Sequence, residues 1–467
     1  MPNLLVIMAD ELSREGVGCY DSGLAVTPNM DAVAARGLRF TNAYTPSPVC
    51  VPARAAFATG RYVHKTRCWS NAEPYHGQFP SWGHLHRSVD RTCVSAGKLH
   101  FRSKDDDNGF DTEIEPLHVR NGIGFIQGLL RKERRLFETS HFADEIGPGD
   151  DPYTQYDLRV CAQAVDWIKQ QTGDQPWTMF ASFLRPHYPL TCPPEFFDIY
   201  NVKDIPPRRF AGVSQEFAHP VLGAFRTYFD YDDAFDDHSR QVARASYFGL
   251  CSFVDDLMGK LIAALNVSGQ LDDTIILITS DHGELNGEHG LWTKMTMHEE
   301  SVAVPLIIAG PGIAPGVVSA AASLVDVYAT VAEIIGADPG DATEGQSLLS
   351  LGDTSDSSRC VFSEYHDGGA ITAFLMARTD RWKYIHYPGF APQLFDIESD
   401  PHETEDLGLD SEYSDIRAMC LEKMRSHLAP PEDINDRAFS DQAALIERLG
   451  GVQTIINTPG FDFTPVE

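Results

Sequence analysis

The sequence predicts an α/β protein in which a large, mixed, mostly parallel sheet is flanked by helices and followed by a smaller C-terminal α+β domain. Three observations predict it. Short apolar runs recur, each ending in polar, Gly-rich or His-rich residues, as buried parallel strands do where the chain leaves a sheet. Between them lie segments whose apolar residues repeat at helical spacing. Past a stretch rich in Gly, Asp and Ser at 338–358, the pattern changes to closely spaced antiparallel strands. We expect a first domain over residues 1–359 and an α+β subdomain over 360–467.

Taken in order, "NLLVIMA" (3–9) is an apolar run that ends in Asp10-Glu11. "TPNMDAVAARG" (27–37) opens with Thr27-Pro28, keeps Met30, Val33 and Ala34 on one face and stops at Gly37, which marks a helix with start and stop signals. "WTMFASFLRPH" (177–187), "TIILITSDHGE" (274–284) and "VPLIIAGPG" (304–312) repeat the strand pattern. Longer helices are expected at 155–171, with a stripe of Leu158, Cys161, Ala162, Val165 and Ile168, and at 240–265. In the C-terminal part, 374–401 reads as antiparallel strands joined by turns, 411–427 as a helix, and 437–451 as a helical stripe for its own domain or a neighbouring subunit. Ligands of open α/β sheets bind at the carboxyl ends of the strands, and three strand ends here carry reactive groups, so one site along one sheet edge is expected.

Bulk composition narrows the partners. The 67 acidic residues against 37 Lys plus Arg give a formal charge of −30, which repels nucleic-acid backbones and anionic membrane faces. No apolar run is long enough to cross a membrane and the N-terminus lacks a basic, cleavable leader, so a cytoplasmic location is expected. The nine scattered cysteines show no C-x-x-C or disulfide-like spacing, in keeping with a reducing compartment.

The residues that carry chemistry begin at strand ends. Asp10 alone reads equally well as a helix N-cap. Asp281-His282 in "TSDHGE" offers two donors at one point after a buried strand, as a divalent ion requires, and Lys294 in "GLWTKM" lies within reach of the same place. In "SPVCVPARAAFATGR" (47–61) a cysteine stands four residues ahead of an arginine where a loop becomes helical. A cation beside a thiol lowers its pKa, so a thiolate nucleophile is one reading of Cys50.

These residues resemble the sulfatase family of the alkaline phosphatase superfamily, whose signature C-x-P-x-R stands here as Cys50-Val51-Pro52-Ala53-Arg54, followed by Ala58-Thr59-Gly60-Arg61. The resemblance includes "NLLVIMAD", "TPNMDAVAARGLRFTNAY" (27–44), "GKLHF" (97–101), "RPHYP" (185–189), "TSDHGELNGEHGLWTK" (279–294) and "QLFDIESDPHETEDL" (393–407), in family order along nearly the whole chain. It makes residues 1–359 the catalytic domain. It implies that Cys50 is converted by a formylglycine-generating enzyme to formylglycine, whose hydrate attacks sulfur to give a covalent sulfo-enzyme intermediate. It further implies one divalent ion (calcium, manganese or magnesium) held by Asp10, Glu11, Asp281, His282 and residue 50, Glu11 standing where many relatives have Asp. Arg54 would hold the diol, Asn71, Lys98 and Lys294 the sulfate, His187 would protonate the leaving alcohol, and His100 would be the base that releases sulfate. The implied substrate is a small sulfate monoester, aryl or choline-sulfate-like; the alternative is a phosphonate monoester or phosphodiester. A homo-oligomer is expected from the same resemblance. His289 and His298 read as structural, and Trp69, Trp292 and Trp382 as either pocket or core.

Overall fold

In a computed structural model, all residues are described except 21–22, 133–139, 172, 174, 210–218, 341–342, 352–358, 459–463, 465 and 467. Much of the linker expected at 338–358 therefore lies outside the described residues. The architecture follows from apolar runs that must be covered on both faces. The main sheet contains β1 (Asn3–Asp10), β2 (Leu38–Phe40), β3 (Thr92–Lys98), β4 (Thr112–Leu117), β5 (Trp177–Pro186), β6 (Thr274–Ser280), β7 (Leu306–Ala309) and β8 (Gly316–Val318). Their order across the sheet is β8-β2-β7-β6-β1-β5-β3-β4. β1, β5 and β6 are buried along their whole length, as their unbroken apolar character requires.

All pairings are parallel except those of β7, which runs antiparallel to both β6 and β2. "VPLIIAGPG" is thus a buried strand as expected, but its carboxyl end faces the opposite edge from those of β1, β5 and β6. Burial on both faces gives the same apolar run in either direction, so the pattern carried no directional signal. β3 and β4 were not read as strands, because "TCVSAGK" and "TEIEPL" are short and mixed in polarity.

Helices cover both faces: α1 (Pro28–Ala34), α2 (Cys50–Thr59), α3 (Pro152–Gln170), α4 (Asp237–Val267) and α5 (Asp326–Ile335). Asp151 caps α3 by accepting from the Tyr153 and Thr154 amides, and Asp236 caps α4 through a capping box with Ser239. The C-terminal region holds a second, antiparallel sheet of β9 (Val361–Tyr365), β10 (Phe374–Arg378), β11 (Trp382–His386) and β12 (Gln393–Asp396), with helices α6 (Ser414–His427) and α7 (Pro431–Arg448). The α7 stripe, Ile434 and Ala438, packs with Cys420 and Met424 of α6 in a core of the chain's own residues. The nine cysteines are unpaired. No helix among the described residues is long and apolar enough to cross a membrane.

Candidate active site

Register brings the strand-end residues together. Ala9 of β1 pairs with Ser280 of β6 and with Phe183 of β5, and Gly97 of β3 pairs with Ser182. Asp10, Asp281, Lys98 and the β5 end therefore meet on one edge, although they are up to 271 positions apart. β1 and β5 lose register between Ala9 and Asp10. There Asp157 of α3 accepts the Leu184 and Arg185 amides, at 2.8 and 2.9 Å. The buried Arg185 guanidinium then donates to the His187 and Pro189 carbonyls at 2.7 and 2.5 Å, which fixes the turn carrying His187.

Helix α2 begins at Cys50. Pro52 falls in its first turn, where amides have no intrahelical acceptor, so the ring costs nothing there. The helix ends at Gly60 in the left-handed conformation. All ten residues of α2 are buried, and its positive end faces the site. Cys50 Sγ lies 3.2 Å from His282 Nε2 and 3.7 Å from Asp10 Oδ1. Arg54 Nε donates to Asp281 Oδ2 at 2.8 Å, and one terminal nitrogen donates to the Lys98 carbonyl and Ser182 Oγ at 2.7 and 2.9 Å. The other, 3.7 Å from Asp10 Oδ2, has no hydrogen-bond partner among the described residues. Lys98 Nζ pairs with Asp10 Oδ2. Lys294 Nζ donates to Glu11 Oε2 at 2.9 Å, and His187 Nε2 approaches the same oxygen at 3.4 Å. Asn71 Oδ1 accepts the Val51 amide at 3.0 Å. His100 Nε2 lies 3.3 Å from Thr464 Oγ1.

The site's charges are set by close pairing under burial. Burial and the Cys50 sulfur oppose ionisation of Asp10, but Lys98, His187 and Arg54 outweigh them and hold its carboxyl well below the usual range. Burial and the neighbouring Asp10 push the Asp281 carboxyl up. Burial likewise opposes ionisation of Cys50, yet Lys294, Lys98 and His282 hold the thiol well below its ordinary value. Burial, then Lys98, push His100 down to about 3, leaving a neutral imidazole.

Asp10, Cys50, Asp281 and His282 offer donor atoms that all lie within 4.8 Å of one another. Two buried carboxylates that repel each other, with an imidazole alongside, fit a divalent cation. The structure places Glu11 outside this set, in a second group with Asp10 and His187. His289 and His298 stack on each other at 3.8 Å, between Glu300 and Glu403. Trp69 and Trp292 are buried, and Trp382 packs against Tyr413. A cavity of about 320 Å³ lined by Arg14, Arg209, Arg244 and Glu300 contains none of the predicted site residues. The sequence reading missed Ser182, Asp157, Thr464 and Asp367. Of these only Asp367, in "HDGG", has a pattern like that of "SDHGE" that pointed to Asp281.

Comparison with known proteins identifies the family and the fold. The sulfatase family model matches residues 2–337, and the model of the N-sulphoglucosamine sulphohydrolase C-terminal region matches 287–429. The choline-sulfatase of Rhizobium meliloti (strain 1021) is 32% identical over 87% of this chain and 82% of its own length. Arylsulfatase K of Danio rerio is 30% identical over 89% and 81%. The fold is similar to the phosphonate monoester hydrolases of Agrobacterium radiobacter, at a TM-score of 0.76 and 24% identity over 92% of this chain and 96% of that one, and of Silicibacter pomeroyi, at 0.75 and 24% over the same shares. With its signature cysteine at the start of a buried helix, facing an acid pair and an imidazole, the chain belongs to the sulfatase family, the hydrolases of sulfuric esters.

Proposed function

We propose that the chain hydrolyses small sulfate monoesters with residue 50 as nucleophile after its oxidation to formylglycine. The observation that carries the reading is the placement of Cys50 at the start of α2, within 3.7 Å of Asp10 and His282, among Arg54, Lys98 and Lys294. As the aldehyde hydrate, residue 50 supplies two hydroxyls on one carbon, so that one can bond sulfur and the other, on losing its proton, can release sulfate. Asp10, Asp281 and His282, with residue 50, would hold a divalent ion, which would supply positive charge to the sulfate oxygens and acidity to the nucleophile.

The remaining tasks fall to the side chains. Lys98 and Lys294 are buried ammonium groups aimed at the same small volume, where charge on non-bridging oxygens needs them. The unpartnered nitrogen of Arg54 donates to the residue 50 hydroxyls. His187 Nε2, which has no hydrogen-bond partner among the described residues and lies 3.4 Å from Glu11 Oε2, gives its proton to the departing alcohol as the S–O bond breaks. His100, neutral by burial and beside Lys98, takes the proton whose removal breaks the C–O bond to sulfate and restores the aldehyde. Because α2 is buried throughout, a formylglycine-generating enzyme would act on the chain before it folds.

A second reading has its own observation: the Cys50 thiol is held well below its ordinary value, so an unmodified thiolate could itself attack. Mass spectrometry of the Cys50 peptide separates the two, because the aldehyde peptide is about 18 Da lighter than the thiol. An alkylatable thiol in a fully active preparation would overturn the formylglycine reading. Comparison of kcat/KM for an aryl sulfate, choline sulfate and an aryl phosphonate assigns the ester, and dominance of the phosphonate would overturn the sulfate assignment.

A further inference from the structure

Asn71, to which the family resemblance assigns the sulfate, is held by three hydrogen bonds of different origin. Asn71 is 6% exposed, and its carboxamide oxygen is occupied by the Val51 amide at 3.0 Å. That bond turns the carboxamide nitrogen the other way, and no hydrogen-bond partner for it occurs among the described residues. The Asn71 carbonyl accepts the Phe125 amide at 3.1 Å and faces Gly124, where a Cβ would come within 2.0 Å of it. The Asn71 amide donates to Asp367 Oδ2 at 2.8 Å.

Asp367 lies in the turn between β9 and β10, so it comes from the C-terminal region and not from the sheet that carries the other site residues. The turn is braced by an Ala370 amide bond to the Asp367 carbonyl at 3.1 Å and by the Tyr365 hydroxyl on the Gly368 carbonyl at 2.7 Å. Asp367 is 3% exposed. Its Oδ1 accepts the Gly368 amide at 2.7 Å and lies against Gly128, where a Cβ would come within 2.1 Å of it. Both oxygens thus receive backbone N–H groups, a demand that a carboxylate meets and a carboxamide cannot, since one of its two ends is a donor.

We infer that Asp367 is a positioning residue of the active site: by fixing the Asn71 backbone it aims the Asn71 carboxamide at the substrate and steadies the Val51 amide at the start of α2. The C-terminal region therefore completes the site without touching the ester. The inference rests on the proposed sulfate hydrolysis, with Asn71 in the sulfate-binding role that the family resemblance implies.

Wild type, Asn71→Ala, Asp367→Asn and the double variant are compared by kcat and KM for an aryl sulfate, by calorimetric Kd for inorganic sulfate, and by urea midpoint. Loss of a partner that orients a metal ligand typically costs about 10–100-fold, and a bond that orients a sulfate-binding amide is of the same kind. We expect Asp367→Asn to lower kcat/KM by about tenfold, Asn71→Ala by at least as much, and the double variant to match Asn71→Ala within about twofold, since one acts through the other. Multiplying effects, or an Asp367→Asn variant within about twofold of wild type, would overturn the inference. Should Asp367→Asn fail to fold, Gly128→Ala presses on the same carboxylate without changing charge and must show the same non-additivity. Wild-type turnover tests the proposed function, whereas coupling is read equally from sulfate Kd, so the two fail separately.

Discussion

Replacing Arg54 by lysine keeps the charge between Asp10 and Asp281 and removes only the fork. The guanidinium makes three hydrogen bonds, to Asp281 Oδ2, the Lys98 carbonyl and Ser182 Oγ, at 2.7 to 2.9 Å. Asp281 lies on the Nε side, and the other two acceptors share one terminal nitrogen. A single ammonium replaces about one of these bonds and loses two. Bonds involving a charged group contribute about 1.5–3 kcal/mol each, so the loss totals about 3–6 kcal/mol, divided between stability and alignment of Asp281. If about 2–3 kcal/mol of it falls on the transition state, kcat/KM drops about 30- to 160-fold, at 1.36 kcal/mol per decade. The assay is steady-state hydrolysis of an aryl sulfate at matched metal content, with urea unfolding alongside to register the part that falls on stability. An Arg54→Lys enzyme within about threefold of wild type, with an unchanged midpoint, would refute the claim that the planar fork aligns the acid pair.

Three further outcomes are expected. Lys383 is fully buried, with Glu299 and Glu403 oxygens 2.7 and 2.9 Å from its ammonium group; Lys383→Met takes the shared cation from both carboxylates, leaving Arg14 on Glu299 at 3.1 Å, and should cost about 3 kcal/mol in urea unfolding, and a neutral result would mean that water reaches the pair. His86, 1% exposed, is pushed down to about 4 by burial and then Arg91; the folded state binds fewer protons than the unfolded one between pH 6.5 and 4, so its stabilisation is present above 6.5 and falls by about 3 kcal/mol toward pH 4, a slope that His86→Gln should flatten. For His187→Ala, the loss in kcat should grow with the pKa of the departing alcohol and nearly vanish for a nitrophenol, and a loss independent of leaving group would remove His187 from the acid role.

What was legible in the sequence depended on how local each cause was. Asp10, Asp281 and His187 stand at the ends of mainly apolar runs, so both the strand and its functional end could be read in a few residues. β3 is an interior strand that contains Thr92, Ser95, Gly97 and Lys98, and it is buried because its neighbours cover it, a fact absent from its own pattern. The direction of β7 was hidden for the opposite reason: an all-apolar strand is the same run read either way. Asp157, Thr464 and Asp367 act on the site across 27 to 364 positions; Asp157 and Thr464 look locally like ordinary helix and tail residues, and "HDGG" around Asp367 is not preceded by an unbroken strand signal.

The same division explains how the site is built. Most of the groups proposed for the chemistry sit at or just past strand ends or in helix α2, where sheet register and helix geometry fix them, while Lys294 lies in a loop. The groups that fix them in turn, Asp157 under the His187 turn, Ser182 under Arg54 and Asp367 under Asn71, are neutral or acidic acceptors that take up donors left over at a bulge, a guanidinium and a turn. An acceptor can serve that purpose from any element that passes nearby, so its position in the chain is free while its chemistry is not. Substitutions in this supporting layer should therefore act only through the residue they hold, so that their effects do not add to its removal, whereas substitutions of Lys98 or Lys294 should change kcat and KM together.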